Sequence, residues 1–533
     1  MTTHEQDLRV GILNALLTTP HRELEKIYPV HQELIGKDPR FYVRLAAWYN
    51  DHGDVRDHKE MFVVNLVLSD FDGHRDAGLA MLRELPPYQV VRVVDFISGR
   101  KQTRKMRKGE EQQAVAQASR RQRQSLARRL FGSARQEAEQ PSTPREPGKI
   151  TVETGLFRNV PRAMKTEITR YLRERETDAD WFDGSVLAAR KAIKRLYALL
   201  HIAPGERAQR ILFNDDPPPD SRLFALRALA AAGSPAEQAR AIVAHRIPYR
   251  VAATVVHQMT PSVLVALIDQ MTPQELINSL GALRRRGALE LPEIKSLVEA
   301  KLADARSAER VSALKAGKAI EAAGLSGDLR SQLEDVADTQ VKAKGRISRP
   351  TALLIDKSSS MNEAIELGKQ IGAMISAICE KELYTYAFDT MAYQIIPQGK
   401  TLADWERAMK GIEAGGSTSC GVALKYLAKK AQCVEQIIMI TDEEQNTPPT
   451  FIDALTEYSA ALKTAPAVCL VRTPGGHDFV ERQCRQAGIQ VDVFQFSGDY
   501  YSLPNLVPML ACPSKLELLM EIMDYPLPVR KPA

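Results

Sequence analysis

The sequence predicts a multidomain chain: a superhelix of α-helices followed by a Rossmann-like α/β domain. Three observations predict it. Apolar residues recur at helical spacing through the first two-thirds, whereas short apolar runs alternate with helical stretches in the last third. A chain of 533 residues exceeds what one hydrophobic core organises. The charge also divides near the same place. Of 72 basic and 66 acidic residues, positions 350–533 hold 16 and 22, leaving the front with a net charge of +12 and the back with −6.

The front reads as many helices of roughly 10–15 residues joined by brief turns, an α-solenoid of HEAT type. Apolar spacing marks helices through Phe62 to Leu68, Ala77 to Leu82, Val186 to Leu200 and Leu223 to Leu229. Ser234-Pro235-Ala236-Glu237 and Thr272-Pro273-Gln274-Glu275 each combine a capping hydroxyl, a proline at the first helical position and a glutamate at the third. Met259-Thr-Pro261 and Met271-Thr-Pro273 repeat twelve residues apart, placing two short helices in succession. Strand-like alternation is scarce. The domain boundaries expected are 1–99 and 149–345 for the two parts of the helical region, 100–148 for an insertion, and 346–533 for the α/β domain.

The insertion is basic. Residues 100–135 carry Arg100, Lys101, Arg104, Lys105, Arg107, Lys108, Arg120, Arg121, Arg123, Arg128, Arg129 and Arg135 against Glu110 and Glu111. Few apolar residues accompany them, so the segment reads as mobile and helical in part. Either it is a solvated linker or an arm that grips phosphates, with Arg120, Arg121 and Arg123 as candidate contacts. Two helices follow. In the first, Met164, Ile168, Tyr171 and Leu172 form a core stripe, and Arg162, Lys165 and Arg173 fall off it. In the second, Val186, Ile193, Tyr197 and Leu200 face inward while Arg190, Lys191, Lys194 and Arg195 gather elsewhere with no acid on that face. Four cations of one sign fit a phosphate-contact face, where a merely solvated face carries mixed signs. His201 reads as a packed or helix-capping residue. Arg284-Arg-Arg286 suits either the negative end of a helix or RNA.

The back alternates strand-like runs (Thr351–Asp356, Leu383–Phe388, Ala392–Pro397, Gln436–Asp442, Ala467–Arg472, Val491–Phe496) with helical stretches (Asn362–Glu380, Cys420–Lys430, Phe451–Leu462, Phe479–Ala487, Lys515–Met523). That pattern means a mostly parallel sheet covered on both faces. Asp389-Thr-Met391 is too short for a crossover helix, so the second and third runs form a hairpin and an antiparallel edge. The first run ends in Asp356, with Ser358 and Ser360 two and four residues on. Gly415-Gly416-Ser417-Thr418 offers a loop hydroxyl, and Ile437 to Asp442 ends a second apolar run in an acid. Asp356, Ser358 and Ser360 make a hard, oxygen-only set suited to Mg²⁺ or another divalent cation, with the Thr418 hydroxyl and the Asp442 carboxylate as further pieces downstream. The bland alternative, a helix N-cap, does not require the later pieces. Lys357 inside the motif is expected to weaken cation affinity.

Several classes are disfavoured. No apolar run approaches the roughly 18 residues that span a bilayer, and no secretion signal is recognised at the N-terminus. Six cysteines lie in the last third without CxxC pairs, which argues against structural zinc and a disulfide framework and fits a reducing cytoplasm. No GxxxxGK[ST], HExxH or GxSxG pattern occurs, so a binding protein is expected rather than an enzyme.

The Asp356–Ser360, Thr418 and Asp442 pieces resemble the metal-ion-dependent adhesion site of a von Willebrand factor type A domain. A HEAT-like region followed by such a domain is similar to the Ro RNA-binding proteins, the TROVE-domain family. Ile247-Pro-Tyr-Arg, Gln258-Met-Thr-Pro and Met271-Thr-Pro-Gln-Glu-Leu-Ile-Asn-Ser-Leu-Gly281 resemble that family's late helical segment, and Ala414 to Cys420 and Thr441-Asp-Glu-Glu444 its metal-site loops. The resemblance implies a ring-shaped scaffold that binds small non-coding, Y-like RNA or misfolded RNA. It implies work in RNA decay beside an exoribonuclease such as polynucleotide phosphorylase. A carboxylate-bearing protein would bind at the metal. Type A domains also serve as adaptors for AAA+ ATPases of the MoxR or chelatase kind, an alternative in which RNA has no part.

Overall fold

The computed structural model describes residues 3–16, 24–53, 55–105, 149–256, 258–308, 311–496, 506–508, 510 and 515–530. The helical region comprises α1 (Thr3–Ala15), α2 (Leu24–Lys37), α3 (Pro39–His52), α4 (Arg56–Leu68), α5 (His74–Glu84), α6 (Pro87–Ser98), α7 (Arg162–Thr177), α8 (Ala179–Leu199), α9 (Arg222–Ala231), α10 (Pro235–Ala244), α11 (Tyr249–Val255), α12 (Pro261–Asp269), α13 (Pro273–Arg285), α14 (Pro292–Ala305), α15 (Ala313–Ala323) and α16 (Asp328–Lys342). Caps explain many of the starts. Asp38 accepts Phe41 N–H at 2.9 Å with Pro39 opening α3. Ser234 and Thr272 form reciprocal capping boxes with Glu237 and Glu275 at the starts of α10 and α13.

Helices pack on those two along: α2 on α4, α4 on α6, α6 on α8, and later α10 on α12, α12 on α14, α14 on α16. This stacking of helix pairs is the solenoid arrangement, in which each unit buries its apolar face against the next. Met164, Ile168, Tyr171, Leu172, Val186, Ile193, Tyr197 and Leu200 are all buried, as their spacing predicts.

The expectation for 100–148 needs correction at its start. Arg100–Lys105 forms strand β1, paired antiparallel with β2 (Lys149–Thr154), rather than a helical or mobile segment. Six polar residues in a row carry no apolar alternation, so nothing in the local pattern marks the strand. The rest of the basic stretch, Arg120, Arg121 and Arg123 included, lies outside the described residues.

The α/β domain contains β3 (Thr351–Asp356), α17 (Ile365–Ile378), β4 (Leu383–Phe388), β5 (Ala392–Ile395), α18 (Leu402–Met409), α19 (Val422–Lys429), β6 (Gln436–Thr441), α20 (Phe451–Leu462), β7 (Ala467–Arg472), α21 (Phe479–Gln486), β8 (Val491–Gln495) and α22 (Lys515–Asp524). The sheet order is β5-β4-β3-β6-β7-β8, parallel except for the antiparallel edge β5. Every residue of β3 and β6 is buried, which suits parallel strands covered on both faces. Leu353, Ile355, Ile438 and Ile440 pack with α17 and α18, in a core continuous with the helical region. Leu354, Phe388, Ile437 and Met439 pack on the other face with α19, α20 and α21. The helix α18 is absent from the sequence expectation; its start is a capping box in which Asp404 replaces the usual glutamate opposite Thr401.

Both ends of the helical region meet the α/β domain. At the late end, α16 packs on α17 and α18, and Asp338 Oδ1 accepts Leu402 N–H at 3.0 Å. At the early end, Asn14 Oδ1 accepts Gln495 N–H at 3.1 Å, and Trp48 Nε1 donates to Glu521 at 2.8 Å. The chain beyond α22 continues over the early helices. Tyr525 donates to Asp51, its carbonyl accepts from Arg44, and Arg530 Nε reaches Glu167 at 2.7 Å. Packing contacts therefore run in a closed circuit, from α1 through α16, across the sheet domain and back.

Candidate functional site

The strand order places a topological switch point between β3 and β6, because the chain leaves β3 toward β4 on one side and later enters β6 on the other. Helices then start on opposite faces and a crevice opens at the carboxyl ends of those two strands. Asp356 is the last residue of β3, and Asp442 directly follows β6. Both are buried, Asp356 completely and Asp442 to 6% exposure.

Hydrogen bonds hold these groups. Asp356 Oδ1 accepts Ser358 N–H at 2.9 Å and Oδ2 accepts the Thr441 hydroxyl at 2.7 Å. Ser358 Oγ lies 3.1 Å from Ser360 Oγ. Ser358 precedes the tight helical turn Ser359–Glu363 yet its side chain makes no capping bond there, which removes the N-cap alternative. Thr418 is buried; Asn446 Oδ1 accepts its N–H at 2.9 Å, and its carbonyl accepts Asn446 N–H and Thr447 N–H at 3.1 and 2.9 Å. Ser359 N–H to Gly416 O and Gly415 N–H to Lys357 O, at 3.0 and 2.7 Å, tie the Thr418 loop to the Asp356 loop. Gly416 adopts a φ of 84°, and a Cβ there would press on Asp389 at 3.2 Å, so the loop requires glycine at that position.

The electrostatics of the crevice favour a cation. Burial pushes the Asp356 carboxyl up to about 6, against the hydrogen bonds from Ser358 and Thr441, and the negative charge of Asp442 adds to the rise. Lys357 does not relieve it. Its ammonium pairs with Asp389 at 2.7 Å and lies 5.2 Å from the Tyr393 ring centre. The expectation that Lys357 charges the metal position is therefore corrected: Asp389, one residue past β4, takes that charge. Two buried carboxylates beside hydroxyls, without an ion-pair partner among the described residues, fit a hard divalent cation. The neighbouring acids diverge. Glu443, with φ of 63°, binds Arg472 at 2.7 Å, and Glu444 approaches His477 at 3.2 Å. Among the described residues no three His, Cys, Asp or Glu side chains converge as a metal cluster.

The cationic candidates lie in the helical region. Lys165 is exposed on α7. Arg173, also exposed, pairs with Glu176 and donates to the Ala203 carbonyl. On α8 the backbone kinks at Ala189, just before the basic run. Arg190 Nη2 binds Asp215 at 2.8 Å and the Ile211 carbonyl at 3.0 Å. Arg195 pairs with Asp95 at 2.7 Å. Lys194 lies 5.2 Å from the Phe213 ring centre, and Lys191 is exposed. The face read as free of acids is thus partly neutralised by Asp95 and Asp215, which come from distant segments and leave no trace in the spacing of α8. Arg210 and Arg227 join the same neighbourhood, through Asp216 at 2.9 Å and Asp215 at 3.5 Å. Neither belongs to a basic run, so periodicity does not reveal them. His201 is exposed in a turn with φ of 51°, not packed, and Arg284 closes a helix contact by donating to the Ala323 carbonyl.

No family model matches the sequence, and no curated protein matches it. The solved structures do yield similar folds. A Ro protein (RSR) of Deinococcus radiodurans aligns over 90% of this chain and 93% of its own, with 15% identity and a TM-score of 0.54. A von Willebrand factor type A structure from Catenulispora acidiphila covers 33% of this chain and 43% of its own, with 17% identity and a TM-score of 0.24. Proximal thread matrix protein 1 of the mussel byssus, with a zinc-occupied MIDAS motif, covers 31% and 48%, with 16% identity and a TM-score of 0.25. Helical region and sheet domain together, this chain has the fold of a Ro protein.

Proposed function

We propose that the chain is a divergent Ro-type RNA-binding protein, in which the helical region takes single-stranded or misfolded RNA and small structured RNA. The observation that carries this reading is the shared fold, which aligns over 90% of this chain and 93% of the Ro protein. The charge division supports it, since a net +12 is concentrated in residues 1–349. Lys165, Arg173, Arg190, Lys191, Lys194 and Arg195 form the proposed contact surface, together with Arg120, Arg121 and Arg123 of the basic insertion. Phosphates are met there by charge, with shape rather than base edges deciding the choice.

In this reading the sheet domain is a von Willebrand factor type A domain. Asp356, Ser358, Ser360, Thr418 and Asp442 would hold Mg²⁺ or another divalent cation. Such a cation, when bound, neutralises the two buried acids and offers a coordination position to a carboxylate of another protein. The chain acts as a binding protein without catalytic residues, in the cytoplasm, delivering RNA to an exoribonuclease. No helix among the described residues is long and apolar enough to cross a membrane.

Filter binding of a single-stranded RNA carrying a stem, run at two salt concentrations, tests the function. The expected result is binding that weakens steeply with salt, with a slope of about −0.7 per phosphate contact in the single strand. Absent or salt-insensitive binding would instead favour the protein-adaptor role of type A domains.

A further inference from the structure

Asp215 sits in the loop that follows the helical segment ending at Phe213, and three cations surround it. Arg190 Nη2 binds its Oδ1 at 2.8 Å, and Arg227 Nη2 lies 3.5 Å from Oδ2 and also donates to the Asp215 carbonyl. Lys194 is close enough to help hold the carboxyl below its ordinary value, after the hydrogen bond and charge of Arg190 and the charge of Arg227. Yet the Asp215 side chain is 72% exposed, and Arg190 and Arg227 are 43% and 54% exposed. An exposed carboxylate earns little from such pairs in water. The loop is nonetheless built to present it. Asp215 adopts a φ of 53°, Asp216 N–H binds the Arg210 carbonyl at 3.0 Å, and three prolines at 217–219 follow. The left-handed backbone and the prolines keep the carboxylate where it is.

A carboxylate and a phosphodiester share one feature: two oxygens carrying one negative charge, matched by a guanidinium fork. We propose that Asp215 occupies a phosphodiester subsite formed by Arg190, Lys194 and Arg227. There it acts as an internal stand-in that an RNA phosphate displaces. This rests on the RNA-binding reading above and adds one point to it: the acid is a competitor built into the surface. The stand-in holds three like charges together in the free protein and sets a threshold against weak, non-specific polyanions. RNA binding then exchanges one anion for another at the same cations, so one phosphate contact is masked from the salt dependence.

The test compares wild type, Asp215→Asn, Arg227→Ala and a charge-matched control, Asp335→Asn. Asp335 pairs with Arg306 at 2.6 Å elsewhere on the solenoid. Binding of a fluorescein-labelled single-stranded RNA is measured by anisotropy across a salt series, and thermal unfolding checks each fold. Expected is a rise in affinity of about threefold to tenfold for Asp215→Asn, with a salt slope steeper by about 0.7. Asp335→Asn stays at wild-type affinity, and Arg227→Ala binds more weakly. If wild type binds RNA but a folded Asp215→Asn does not bind more tightly, or if Asp335→Asn gains as much, the stand-in role is overturned while RNA binding survives. If none of the four proteins binds RNA, the functional reading and the stand-in fall together.

Discussion

Thr441 gives its hydroxyl proton to Asp356 Oδ2 at 2.7 Å while Thr441 Oγ1 accepts Glu443 N–H at 2.8 Å. The amide fixes the direction of the hydroxyl, and the hydroxyl fixes the carboxylate, so the ends of β3 and β6 are joined across the switch point. Groups that orient a ligand carboxylate govern cation affinity almost as strongly as the ligands themselves. Thr441→Val is expected to weaken Mg²⁺ binding by about tenfold while leaving the fold intact. Isothermal titration with MgCl₂ on both proteins checks this; equal affinities would strip Thr441 of an orienting role.

Lys357 lies among the candidate metal ligands in sequence but pairs with Asp389 in space. Burial alone would raise the Asp389 carboxyl; the Lys357 hydrogen bond and the Met391 N–H outweigh it, and the carboxyl is held below its ordinary value. Lys357→Met should therefore change Mg²⁺ affinity less than about threefold, yet cost about 1–3 kcal/mol of stability by stranding a buried acid. A large gain in cation affinity from this variant, with unchanged stability, would mean that the ammonium acts on the metal position after all.

Glu60 on α4 is fully buried, and burial pushes its carboxyl up to about 8 despite Arg92 at 3.2 Å. Its Oε2 makes no hydrogen bond among the described residues. The folded chain thus holds this proton more tightly than the unfolded chain. Stability from the group is present below the ordinary value of 4.5 and declines as pH rises through about 8. Glu60→Gln is expected to be near neutral at pH 5 and stabilising by about 1 kcal/mol or more at pH 9. Urea midpoints at the two pH values read it out, and a variant equally destabilised at both would contradict the assignment.

The segment after α22 links the sheet domain to α3 and α7 through Tyr525 and Arg530. Deleting residues 525–533 should leave helical content unchanged by circular dichroism. It should also lower the thermal midpoint and enlarge the radius of gyration in small-angle scattering, because one side of the contact circuit loses its clasp. Unchanged scattering would show that α1, β8 and α22 close the circuit without it.

Much of the sheet domain was legible because its signals are local. The apolar runs of β3 and β6, the acid at each strand end and the short Asp389-Thr-Met391 link all lie within a few residues of what they determine. The caps at Ser234 and Thr272 were legible for the same reason. Pairings between distant segments were not. Asp95 and Asp215 neutralise parts of the α8 face from about 100 and 25 positions away, and Asp389 claims Lys357 from 32 positions away. Charge counting along one helix has no access to them. Strand β1 escaped because its six polar residues carry no apolar period, which left the short Ile150 and Val152 alternation of β2 without a visible partner; the orienting roles of Thr441 and Asn446 depend on hydroxyl and amide directions that composition does not encode.

The central claim is that the cationic helical surface binds RNA, and the most direct measurement is sequencing the RNA that copurifies with the protein. Wild type is compared with a variant in which Arg190, Lys191, Lys194 and Arg195 are all glutamine. The account predicts a defined set of small structured or defective RNAs with wild type and nearly none with the folded variant. Equal recovery of RNA from both proteins, or none from wild type, would contradict it.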